Sequence, residues 1–278
     1  MRHARSAAAT AVLYLISSLS PYPSSLAWAA HPFITDDTGT QGKGNWQLEL
    51  QYEYGRNDAT ADAGAGPVRQ ESKSSAFTSV VTYGLLENLD AALGVSGVKQ
   101  RVTEDGAVTE DASGVGDSTI ELKWRFYDAN GLSFALKPGI VLPTGDENKG
   151  LGNGRASWGI NFITTYEAKP WTFLGNIAYS HVSYQLPQDD AANRSDLWRV
   201  SGGMAYAVHE ELRLVGEAGV RTNQSKDDPF QPGDTGRFAM LGVIYSPTGK
   251  IDLDIGYRKG LNDAEPDWTL LIGATFRW

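Results

Sequence analysis

The chain has 278 residues, with 24 Lys and Arg against 33 Asp and Glu, for a formal charge of −9. The absence of cysteine excludes a disulfide framework, a Cys-ligated zinc and thiol catalysis. A mean hydropathy of −0.32 without a long apolar run excludes a helical membrane protein, and the net acidity argues against nucleic acid as a partner. The 31 Gly, 12 Tyr and 8 Trp point to an all-β protein.

The chain opens as a secretory signal peptide. Arg2 and Arg5 precede the apolar stretch Ala7 to Leu19, and Ala27-Trp28-Ala29 supplies a small-x-small cleavage site. The apolar stretch is shorter than the ~20 residues of a spanning helix. Residues 1–29 are read as the signal peptide and 30–45 as a periplasmic N-terminal segment placed to occlude part of the periplasmic mouth. Residues 46–278 are read as an outer-membrane β-barrel. Removal of Arg2 and Arg5 takes the formal charge from −9 to −11.

From Trp46 onward the chain alternates with the period-2 signature of strands. In Trp46 to Gly55, Trp46, Leu48, Leu50, Tyr52 and Tyr54 share one face, while Gln47, Glu49, Gln51 and Glu53 share the other. The same pattern recurs at 119–127, 212–221, 251–259 and 268–278. Weaker copies lie near 74–84, 89–99, 132–142, 156–168, 171–184, 196–208 and 236–246. The last of these is ambiguous, since Leu241, Val243 and Tyr245 are apolar on the expected polar face. These segments are longer than ordinary globular strands of about 5–6 residues. They match the 9–11 residues, roughly, that a tilted strand needs to cross a bilayer. The expectation is an all-β, up-and-down antiparallel transmembrane β-barrel of about 12 strands.

The connections alternate too. Leu85–Asn88, Asp128–Gly131, Ala168–Pro170, His209–Glu210 and Pro247–Gly249 are short; 56–73, 100–115 and 223–235 are long, polar and rich in turn residues. Tight periplasmic turns and long outer loops give that alternation, with both termini in the periplasm. A charge on the lipid face costs roughly 2–4 kcal/mol at mid-bilayer, so the apolar parity is assigned to lipid and the charged parity to the lumen. The predicted lumen-lining charges are Glu49, Glu53, Glu121, Lys123, Arg125, Lys137, Arg199, Arg213, Glu217, Arg221, Asp252, Asp254, Arg258 and Arg277. Segment-end aromatics, among them Trp46, Tyr83, Trp198, Tyr257 and Trp268, suit two interfacial girdles. The aromatic end of the last alternating strand, Trp278, resembles the signal read by the barrel-assembly machinery.

Chemical motifs are weak. Gly145 to Gly154 is glycine-rich, but it has no Gly-Lys-Ser/Thr ending and no helical pattern after it, so it reads as an outer loop. His181 falls on the outward parity. Ser183 shares its face roughly 7 Å away along a strand, beyond the ~3 Å of a hydrogen bond. Asp36-Asp37-Thr38-Gly39 reads as a turn rather than a calcium site, which takes about 6–8 oxygen ligands. No catalytic residue, cofactor or metal is assigned.

One resemblance covers nearly the whole mature chain. It rests on His31-Pro-Phe-Ile-Thr-Asp-Asp-Thr-Gly-Thr-Gln-Gly-Lys-Gly-Asn45, on Glu121-Leu-Lys-Trp-Arg125, and on Lys137-Pro-Gly-Ile-Val-Leu-Pro-Thr-Gly-Asp146 followed by Gly150-Leu-Gly-Asn-Gly154. These pieces resemble the outer-membrane, transporter-like family labelled "putative MetA-pathway of phenol degradation". The resemblance implies movement of small aromatic or other apolar compounds across the outer membrane, and no catalytic residues. The functional expectation is a barrel for passive passage of small solutes, its partners being the solute, outer-membrane lipid and lipopolysaccharide. Two alternatives stay open: a non-conducting structural or adhesive barrel, and a membrane-embedded lipid hydrolase using His181. A barrel of about eight strands fills with its own side chains and one of about 16–18 holds water, so strand number leaves the lumen undecided.

Overall fold

The computed structural model describes residues 32–62 and 66–278; the signal peptide and its cleavage site lie outside them. The described chain is a closed antiparallel β-barrel of 12 strands. Its ladders run β1 (Trp46–Asp62), β2 (Pro67–Leu86), β3 (Leu89–Glu104), β4 (Ala107–Val115), β5 (Ser118–Ala129), β6 (Leu132–Leu142), β7 (Ser157–Ala168), β8 (Trp171–His181), β9 (Asp196–His209), β10 (Leu212–Thr222), β11 (Thr235–Thr248), β12 (Ile251–Gly260) and β13 (Trp268–Arg277). β4 and β5 pair with different stretches of the same edge of β3 and together count as one barrel strand, broken at Gly116-Asp117. Closure comes from β1 against β13, with Leu50 opposite Ala274 and Tyr52 opposite Ile272. A closed sheet leaves no backbone edge for hydrocarbon to meet.

The alternation seen in the sequence is the alternation of the wall. Trp46, Tyr52, Phe77, Ile120, Trp158, Ile177, Leu214, Ile255 and Ile272 are exposed on the outside, whereas Gln47, Glu49, Gln51, Thr78 and Thr82 are buried inside. Outward aromatics gather in two belts. At the short-turn end Trp46 packs on Tyr83 (ring centroids 4.6 Å apart) and Trp171 on Tyr206 (4.7 Å). At the other end Tyr179 packs on Trp198 (4.8 Å) and Tyr54 on Trp268 (5.6 Å). An outer face of this composition is one that hydrocarbon between two polar interfaces solvates.

Two expectations change. Much of 56–73 and 100–115, expected as loops, is strand: β1 has 17 residues, β2 has 20, and β3–β4 form a hairpin turning at Asp105-Gly106. Both turn residues have positive φ (47° and 83°), the requirement of a two-residue hairpin that Asp-Gly meets. These extensions rise above the aromatic belt, where both faces meet water, so no apolar alternation announced them. The ambiguity in β11 also resolves. Leu241 and Tyr245 are exposed outward, while Phe238, Met240 and Ile244 are fully buried inside. The lumen is therefore partly apolar, where only charge was expected. Lastly, Pro138 lacks the N–H that β6 would give β5. The ladder passes from Glu121–Gly139 to Trp124–Leu136 with the two positions between them unpaired.

Candidate functional site in the barrel lumen

Residues 32–45 precede the first strand and run inside the barrel, reaching mid-wall rather than stopping at the mouth. Their lower end is fixed at the short-turn rim, where the Gly44 N–H donates to the Gly84 carbonyl (2.8 Å). A Cβ on Gly84 would collide with the Gly42 carbonyl, so the two backbones meet at a distance only glycine permits. Further in, the Gln41 N–H donates to Asp90 (3.0 Å), and the Thr38 N–H to Thr165 Oγ1 (3.1 Å). Asp36 and Asn176 exchange two bonds, Asp36 N–H to Oδ1 (2.8 Å) and Nδ2 to the Asp36 carbonyl (2.9 Å). The Ile34 and Thr35 N–H groups both donate to the Glu217 carboxylate (2.9 Å each). At the tip, Phe33 enters an apolar nest of Leu174, Ala205, Val215, Met240, Ile244 and Leu271. The nest explains the inward Met240 and Ile244 of β11.

Asp36 is the electrostatic centre of this arrangement. It is fully buried and ion-pairs with Lys123 (2.9 Å) and Lys137 (2.6 Å). Burial alone would push its carboxyl up, but the two lysines outweigh burial and hold it below its ordinary 3.8. The turn expected at Asp36-Asp37-Thr38-Gly39 is present, with the Gly39 N–H on Asp37 Oδ1 (2.7 Å), but Asp36 itself is a luminal anchor.

The 14 predicted luminal charges fall in three tiers. The middle tier holds Lys123, Lys137, Glu121, Arg199 and Glu217 around residues 34–37. Toward the short-turn rim, Asp252 pairs with Arg277 (2.9 Å) and Arg213 (3.4 Å), and Asp254 is buried beside them. There too Arg125 meets Asp128 (3.4 Å), and Glu49 faces the cavity described next. Toward the long-loop end, Arg221 pairs with Glu265, and Arg258 lies 3.7 Å from Glu53. Sequence reasoning missed Asp36, Asn161, Asn176 and Phe33, because it looked for charge on strands; it also missed Asp90, a charge at the very start of β3. Asn161 and Asn176 do occupy the inward parity, so their signal was available.

Between residues 36–41 and the inner face of β1, β2, β3 and β5 lies a cavity of about 300 Å³. Its lining reaches Gln47 and Arg277 at the short-turn rim. At the opposite end the loops fold over the lumen. The Asp117 carboxylate, at the β4–β5 break, accepts the Gly145 N–H (2.9 Å) and the Asn153 N–H (3.0 Å). A Cβ on Gly152 would strike that carboxylate and one on Gly145 the Leu151 carbonyl, so the glycine-rich loop is a clasp closing on Asp117. Arg194 joins the next two loops through the Asn223 carbonyl (3.0 Å) and Asp234.

His181 stands on the outside at the long-loop rim. Its cross-strand neighbours are Trp158 and Asp196, and its Nδ1 lies 3.0 Å from Asp196 Oδ1. Ser180 points into the lumen, and the Ser183 N–H donates to Ser157 Oγ (3.0 Å). Among the described residues no three His, Asp or Glu side chains are placed to share a metal ion.

The family described as "Putative MetA-pathway of phenol degradation" matches residues 35–278. The chain belongs to this family. Among solved structures it is similar to the COG4313 outer membrane channel from Pseudomonas putida F1, with a TM-score of 0.64 and 17% identity over 87% of this chain and 98% of that one. It is also similar to the NanC porin, with a TM-score of 0.53 and 13% identity over 83% and 98% of the two chains. The translocator domain of autotransporter NalP from Neisseria meningitidis gives 0.51 and 14% over 87% and 91%. These likenesses establish a fold of the outer-membrane barrel type. No curated protein matches the chain in sequence.

Proposed function

We propose that this protein is an outer-membrane channel for the passive passage of small solutes, aromatic and other apolar compounds among them. The observation that carries the reading is a closed barrel, apolar outside, whose lumen combines an ion-paired middle tier, an apolar nest and an open cavity beside an inserted segment. A solid core would leave no such cavity. A lumen with both charged and apolar walls suits solutes that carry an apolar body and a polar handle. Charge rings of this kind set selectivity in other pores. The family's description and the Pseudomonas putida protein, an outer membrane channel, support the same reading. Within it, residues 1–29 direct export, the short turns face the periplasm, and the strand ending in Trp278 is read by the barrel-assembly machinery.

Reconstitution tests the proposal. Purified protein in planar bilayers is expected to give small single-channel events, and proteoliposomes to take up small aromatic solutes faster than empty vesicles. A sealed barrel, with neither events nor flux, would instead support the structural or adhesive alternative.

A further inference from the structure

The outward aromatic belt at the long-loop end is interrupted. Tyr257, Trp268 and Tyr54 carry it across β12, β13 and β1, with ring centroids 6.3 and 5.6 Å apart. Level with Tyr54 on β2, β3 and β4 stand Ser75, Lys99 and Ser113 instead. Two residues further toward the loops, Arg101, Lys73, Arg56, Trp268 and Lys259 form a row across five strands, each directly opposite the next. At the ~4.8 Å spacing of neighbouring strands the row is about 19 Å long. With Arg69, its four cations pair with four carboxylates, Asp58, Glu71, Asp111 and Asp267. Lys99, exposed below them, has no ion pair among the described residues. The paired cations are 38–65% exposed, so water and salt screen their pairs. Two residues nearer mid-wall the surface turns apolar. Phe77 and Val115 flank Gly97, on which a Cβ would meet nothing within 4 Å. The outer wall here joins a positive ledge to an open apolar trough.

We propose that this surface docks a phosphorylated glycolipid of the outer leaflet, a lipopolysaccharide, with its head phosphates along Arg101, Lys73, Arg56 and Lys99 and an acyl chain in the trough at Gly97. Aromatic side chains mark where hydrocarbon gives way to the polar interface, and cations just beyond them stand at the level of lipid headgroups. Guanidinium forks and ammonium groups match phosphate oxygens with charge-assisted bonds, and the exposed carboxylate partners they exchange hold them weakly. A soluble anion would use the ledge and leave the trough empty; a lipid uses both. The inference does not depend on conduction. It shares with the channel reading only the assignment of the long-loop end to the outside.

The test is native mass spectrometry of the full protein released from nonionic micelles doped with bisphosphorylated lipid A, with the same lipid stripped of its phosphates, or with phosphatidylglycerol. Lipid A is expected to bind tighter than either. Arg56→Gln, Lys73→Gln and Arg101→Gln, all at exposed side chains, are each expected to weaken it about fivefold, and the triple variant to bring it to the level of the dephosphorylated lipid. Lys169→Gln with Lys250→Gln, which removes two exposed cations from the opposite rim, is expected to leave it unchanged. Equal affinity for phosphatidylglycerol, displacement of lipid A by an equal concentration of inorganic phosphate, or an equal loss in the opposite-rim variant overturns the site. An epitope inserted at Asp105-Gly106 is expected to bind antibody on intact cells; labelling only after lysis overturns the orientation, and the lipopolysaccharide with it. Planar bilayers keep the two readings apart. A barrel that conducts nothing but selects lipid A overturns the channel and supports the site; one that conducts without lipid selectivity overturns the site alone.

Discussion

Asp36 does at residue scale what the whole inserted segment depends on. It ion-pairs with both Lys123 and Lys137, whose side chains are 17% and 3% exposed. Removing one partner of a buried ion pair costs roughly 3–5 kcal/mol, because the charge left behind is uncompensated. Asp36→Asn is therefore expected to release residues 32–41 from the wall, raising single-channel conductance while circular dichroism still reports the barrel. The pH dependence has a definite sign. The folded carboxyl lies below its ordinary 3.8, so its contribution is present above about pH 4 and fades as pH falls below that value. Conductance recorded from pH 7 to pH 3 is expected to stay flat until about pH 4 and then rise; a transition near pH 6 would assign the anchor to another group.

At the scale of elements, the glycine-rich loop 143–154 closes on the Asp117 carboxylate at the break between β4 and β5, beside the bonds of Thr144 to Ser118 and Gly116. Asp117→Ala leaves the Gly145 and Asn153 N–H groups without their acceptor, and each bond to a charged acceptor contributes about 1.5–3 kcal/mol. Limited proteolysis is expected to cut within 143–154 in the variant and to spare the barrel strands. This loop also marks where sequence legibility ended. Its glycines signalled a turn, but that they close on Asp117 depends on a contact 28 residues away. The β3–β4 hairpin was misread as loop for a different reason: its residues are polar on both faces, and only Asp105-Gly106 betrays the turn. The tighter periods of β5, β6, β7, β10 and β12 were legible to within a residue or two, because one face of each meets an apolar medium and the other a polar one.

For the whole molecule, the outer belt fixes where the barrel can live. Ile272 projects outward from the middle of β13 and is 45% exposed. Ile272→Arg is expected to destabilise the barrel in lipid vesicles by roughly 2–4 kcal/mol, against about 0–1 for Trp278→Arg at the rim, read from urea unfolding. Equal costs at both positions would contradict the membrane span assigned to β13. The sequence by itself determined the strand class, the lipid and lumen parities and the alternation of short and long connections, because each is a local consequence of one surface facing hydrocarbon. Only the tertiary structure decided that Phe33 and Asp36 enter the lumen, that β11 turns Met240 and Ile244 inward around Phe33, and that Lys137 lies between Asp36 and Glu121. Those facts depend on which strands closure brings around one short segment, and no period in the chain encodes a neighbour that lies across the barrel.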